Sequence, residues 1–182
     1  MSALIAICSN NFFTIMSDGL DEDHPNVIKV SDKWAAGICG DSDVSDLIIG
    51  EIRKRPAYKT LSIEQVLFKL KNTLKKLSES KPPATIFVRG SNSNRVFCLN
   101  ILSADNDFEP VTILSRDNEF DVKTATLSGI DTQPLIDEHI LSQFPPTGID
   151  HLATIMGAFI KAVAKQDSSV SSTTFKEFVF PW

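Results

Sequence analysis

No apolar run in this sequence reaches the roughly 20 residues that a membrane-spanning helix needs. The start of the chain lacks the basic segment and apolar core of a secretory signal, so a cytoplasmic protein with no membrane partner is expected. Cysteine is scarce: Cys8, Cys39 and Cys98 stand singly inside apolar runs, with no C-x-x-C spacing. That excludes a disulfide framework and a thiolate zinc site, and fits buried free thiols in a reducing compartment. The three histidines, His24, His139 and His151, form no ligand pattern such as H-E-x-x-H, so neither a metal nor a cofactor is expected. Positive charge is also short. Lys and Arg number 18 against 23 Asp and Glu, for a net charge of −5, which is no footprint for nucleic acid. The densest basic run, Lys69 to Lys76, reads as the polar side of an amphipathic helix. The acidic stretch Asp18, Asp21, Glu22, Asp23 with His24 has no enforced ligand spacing and reads as a solvated loop. Linkers, low-complexity segments and repeats are missing too, so residues 1–182 read as a single domain.

What is present is a soluble-protein composition, 42% hydrophobic over 182 residues, enough for a real core. Ala3 to Cys8 and Phe12 to Met16 are apolar runs joined by Ser9-Asn10-Asn11, which is turn chemistry, so they predict a hairpin covered on both faces. A second strand pair follows, Asn26 to Val30 and Trp34 to Cys39, around Ser31-Asp32-Lys33. Gly40-Asp41-Ser42 supplies a helix cap, and Val44, Leu47, Ile48 and Ile52 recur at helical spacing until Pro56. Ser62 and Gln65 make a capping box, and Ile63, Val66, Leu67, Leu70, Leu74 and Leu77 form one apolar stripe behind it. Strands are then predicted at Thr85 to Val88, Val96 to Leu102, Pro110 to Leu114 and Lys123 to Leu127. A helix over Thr132 to Leu141 and another capped by Thr147 come next, and Thr174 to Phe180 closes the chain as a strand. Antiparallel strand blocks alternating with helix pairs predict an α+β fold: a four-layer αββα sandwich of two antiparallel sheets between helix pairs.

This element order and several local motifs resemble the proteasome β-subunit family of N-terminal-nucleophile hydrolases. From Ser2 to Gly19 the likeness needs no gap, and the Asp-Gly pair at its end is similar to that of the bacterial two-ring proteases. The block Val27 to Gly40 (VIKVSDKWAAGICG) is similar to the family's "K-(I/V)-x-x-(I/V)…A-G-x-x-G". Ser128-Gly129 is similar to its Gly-Ser-Gly loop, with Leu127 in place of the first Gly. Lys165-Gln166-Asp167-Ser168 is similar to its Arg-Asp-x-x-Ser segment.

The resemblance implies the sandwich fold, Ser2 in the place of the nucleophile, and Asp18, Ser128 and Asp167 as its support. In such a hydrolase the α-amine of the first residue is the general base, with an ordinary pKa of roughly 7.7–8.0. Ser2 gains that amine only when Met1 is removed. The family's catalytic Lys falls on Asn26, a neutral amide. Lys29 stands three residues on with the opposite strand parity, so its side chain is expected to face away. The loop from Gly19 to Pro25 is shorter than the family's.

Two functions of different class remain open at this point. One is an N-terminal-Ser peptidase or amidohydrolase acting on a peptide or amide. The other is a catalytically inactive proteasome-like scaffold for assembly or binding. Both carry the family's implication of a homo-oligomer, with a ring as one form. A third class, a small-ligand binder, has no motif that names its ligand.

Overall fold

A computed structural model of the chain describes residues 2–9, 13–19, 26–31, 34–91, 97–114 and 119–179. The predicted turns at Asn10-Asn11 and Asp32-Lys33, the loop before Pro25 with its acidic cluster, the turn through Asn94, Met1 and the terminal Phe180-Pro181-Trp182 lie outside the described residues.

The first hairpin is β1 (Ala3–Cys8) and β2 (Phe13–Asp18), and every residue in both strands is buried. That burial explains the weak alternation of their sequences: both faces are covered. They form the centre of an antiparallel sheet with β8 (Asp121–Thr126) beside β1 and β9 (Thr174–Val179) beside β2. The second sheet runs in the order β3 (Val27–Ser31), β4 (Trp34–Cys39), β5 (Thr85–Ser91), β6 (Phe97–Leu102) and β7 (Val111–Ile113). All of its pairings are antiparallel as well.

Helix α1 (Ser42–Lys54) begins where the Asp41 carboxylate accepts from the Asp43 amide at 3.0 Å. Helix α2 (Ile63–Ser78) has the reciprocal capping box of Ser62 and Gln65 that its sequence predicts. These two helices bury Ile48, Ile52, Val66 and Leu70 with Ile38, Ile86 and Val88 of the second sheet. Helices α3 (Gln133–His139) and α4 (Ile149–Gln166) cover the first sheet, with Phe159 and Ile160 packed among Ile5, Ile7 and Met16. A third cluster, with Leu4, Ile15, Ala35 and Phe87, fills the space between the sheets. The three clusters make the layers α, β, β, α, the predicted four-layer sandwich.

The two sheets approach most closely at Gly37, where an added Cβ would overlap the side-chain tips of Ile15 and Leu4. One polar side chain crosses this interior. Arg89 is fully buried, with its guanidinium carbon 5.3 Å from the centre of the Phe13 ring. Burial pulls its pKa down to about 10. The remaining differences from the sequence reading are at boundaries. β2 runs on through Asp18 because β9 pairs with it to that residue. Helix α4 is capped by Gly148 in extended conformation rather than by Thr147, whose N–H donates instead to His151 Nδ1 at 3.1 Å.

Candidate functional site at the N-terminal hairpin

Pairing of Leu4 with Ser17 fixes the hairpin register and brings the start of β1 alongside the end of β2. The Ala3 amide donates to Asp18 Oδ1 at 2.8 Å. The second carboxylate oxygen accepts from the Ser171 amide at 3.0 Å. Asp18 therefore ties the head of β1 to the turn leading into β9. It is only 2% exposed, and burial raises its pKa against the lowering effect of those two amides.

Ser2 points across to the second sheet. Its hydroxyl donates to the Gly40 carbonyl at 3.0 Å and accepts from the Gly40 amide at 2.7 Å. The Cys39 thiol donates to the Ser2 carbonyl at 3.1 Å. Burial pushes that thiol's pKa up to about 12, so it stays protonated and serves as a donor rather than a nucleophile. Glycine is required at position 40, because an added Cβ would lie 2.8 Å from Ala84 Cβ. Three hydrogen bonds thus fasten Ser2 to the end of β4, and Ser2 is 2% exposed.

Asn26 enters from the head of β3. Its side-chain amide donates to the Asp18 carbonyl at 3.1 Å, and its own carbonyl accepts from the Ile38 amide at 2.8 Å. It contributes a neutral bond to the main chain and no charge. Lys29 is exposed on β3 and lines a cavity with Arg53 and Lys59, while Ile28 and Val30 join the core beneath α1 and α2.

Asp167 and Ser128 meet in a second, neighbouring group. Asp167 Oδ1 accepts from the Ser169 amide at 2.9 Å and from the Ser169 hydroxyl. The Ser169 bonds, with the Ser128 hydroxyl after them, lower its pKa. The Leu127 main chain, one residue before Ser128, reaches the Cys39 thiol. The short segment from Asp167 to Ser171 links this group to Asp18. The structure thus brings Ser2, Asp18 and Asn26 together and sets Ser128 and Asp167 beside them. Sequence reasoning left out Gly40, Cys39 and Ser171. Gly40 stood inside a quoted motif, whereas Cys39 looked like any buried thiol and Ser171 like any residue of a serine-rich turn.

Chemically, the Ser2 hydroxyl has both its donor and its acceptor role filled by Gly40. The Asp18 carboxylate is occupied by two main-chain amides. Among the described residues, no group of three or more His, Cys, Asp or Glu is placed to hold a metal ion. No described helix is long and apolar enough to cross a membrane.

No protein-family model matches the chain, and no curated protein does. Among solved structures the chain is similar to "Anbu (ancestral beta-subunit) from Yersinia bercovieri", with a TM-score of 0.70. The superposition covers 98% of this chain and 80% of that one, at 11% sequence identity. The fold is a proteasome-like sandwich. At this identity the likeness is one of backbone alone.

Proposed function

We propose that this chain is a proteasome-β-like scaffold that works by assembly or binding, as a homo-oligomer, without peptide hydrolysis. The observation that carries the reading is the pair of hydrogen bonds holding the Ser2 hydroxyl to Gly40. A nucleophilic hydroxyl must hand its proton to a base, and here that proton is given to a carbonyl. The cation expected beside such a nucleophile is replaced by the Asn26 amide, bonded to main chain. Ser2, Asp18, Asn26 and Gly40 then act as a clasp between the sheets. Three buried free cysteines fit work in a reducing, cytoplasmic setting.

The test has two parts. Intact-mass analysis establishes whether residue 1 is kept, and protein with Ser2 exposed as first residue is then treated with an electrophilic peptide probe. The expected result is no adduct on Ser2 in either form, with one discrete oligomer by mass photometry. A covalent adduct on Ser2 overturns the scaffold.

A second reading, an N-terminal-Ser amidohydrolase, is favoured by one observation: the main chain beside Ser2 is bonded to Asp18. Removal of residue 1 would turn the Ser2 nitrogen into an amine able to accept the hydroxyl proton. Ser128 and Asp167 would then support the N-terminus from the next turn. Adduct formation that requires loss of Met1 is the outcome this reading predicts.

A further inference from the structure

Five cationic side chains line a cavity of about 500 Å³: Lys29, Arg53, Arg55, Lys59 and Lys176. They come from four separate places in the chain, namely β3, the end of α1, the turn Pro56–Lys59 and β9. Val27 and Ile52 lie buried beneath its floor, Val30 and Phe175 are its partly exposed apolar residues, and most of the open lining is polar. No carboxylate is among the described lining residues.

This convergence runs against the chain's net charge of −5. A helix C-terminus favours basic residues, and that accounts for Arg53 in the last turn of α1. It does not account for cations from three other elements around one hollow. Some of these charges have work inside the fold. Arg55 Nε lies 3.8 Å from Glu51, and Lys29 and Lys176 keep interactions of their own. Arg53 and Lys59 therefore bear the argument. Both are exposed, and they reach the hollow from different elements.

The volume falls within the roughly 300–1,000 Å³ of small-molecule sites and exceeds what a lone inorganic anion fills. A mostly polar lining whose described charges are all cationic suits an anionic ligand. Arginine adds a planar fork that takes two phosphate oxygens at once. We infer that this cavity binds a small organic polyanion that carries a diphosphate, with its phosphates at Arg53 and Lys59. The site is separate from the Ser2 clasp and stands whether or not Ser2 reacts.

Calorimetric titration of the full chain with ADP, pyrophosphate and adenosine tests it at low and moderate salt. ADP and pyrophosphate are expected to bind with comparable affinity, and adenosine not to bind measurably. The double variant R53Q/K59Q should lose at least ten-fold in ADP affinity. A matched variant on the exposed face of α4, K161Q/K165Q, should keep it. Circular dichroism confirms that both variants are folded, which is expected because all four residues are exposed. Equal loss in both double variants reduces the effect to general screening and overturns the site. Adenosine binding as tight as ADP overturns the role of the cations. Absence of ADP binding at millimolar concentration overturns the proposal outright.

Discussion

Strand β3 touches two regions that handle polar groups in opposite ways. At its head, Asn26, Asp18, Ser2 and Gly40 form a group closed by hydrogen bonds to one another and to neighbouring main chain, in which Ser2, Asp18 and Gly40 are buried. Three residues on, Lys29 opens onto a hollow rimmed by cations. The closed group has the residue types of chemistry and the wiring of structure. The open hollow has no recognised motif and the wiring of a binding site. A side chain's role is set by what its donors and acceptors already hold, more than by its identity.

The largest effect should come from Asp18→Ala. It removes the acceptor of two amides, Ala3 and Ser171, and each buried donor left without a partner costs about 1–3 kcal/mol. A destabilisation of about 3 kcal/mol is expected in urea unfolding, with no change in the slope. The size of that loss should also depend on pH. Burial raises the Asp18 pKa above its ordinary 3.8, so the folded state holds the proton more tightly than the unfolded one. The contribution of Asp18 is therefore greatest below pH 3.8 and declines as pH rises through its folded pKa. Wild type and Asp18→Ala should differ most in acid and less toward neutrality. A gap that widens with pH would show that the two amides outweigh burial.

The sandwich was legible in the sequence because its local signals agree with one another. The capping box at Ser62, the stripe from Ile63 to Leu74 and the runs at β1 and β4 each require a particular cover, and four layers supply it. The nearness of Ser2 to Asp18 was legible for the same reason, since hairpin register follows from the turn between two strands. The bond from Ser2 to Gly40 was not. It joins residues 38 apart across two sheets, and no periodicity encodes a cross-sheet contact. Arg89 was hidden likewise: a charge at the end of TIFVR reads as a strand terminus until the first sheet, with Phe13, closes over it. Thr147 misled for a local reason. Its hydroxyl is a good cap, but the extended Gly148 carries the chain into α4. The cavity cations come from four elements, so their meeting is a property of the fold alone.

A smaller effect should follow Ser2→Ala. The Gly40 amide and carbonyl lose their shared partner within a buried joint, which costs about 1–2 kcal/mol. Thermal unfolding should fall by a few degrees while oligomer mass is unchanged. A loss within experimental error would mean that the hydroxyl is free for other work, which favours the hydrolase.

The smallest effect should come from the open region, and its sign should be reversed. Arg53 and Lys59 sit with other cations around one hollow, so their mutual repulsion opposes folding slightly. Lys59→Gln relieves part of it, and exposed-charge changes of this kind stay within about 0.5 kcal/mol. The variant should be marginally more stable than wild type at low salt. Raising salt from about 0.05 to 0.5 M shortens the screening length to a few ångströms, which should erase the difference. Asp18→Ala acts through short buried hydrogen bonds and should keep its deficit over the same salt range. A Lys59→Gln gain that persists in high salt would mean that Lys59 is strained by packing rather than charge, and the two regions would then differ less than their wiring implies.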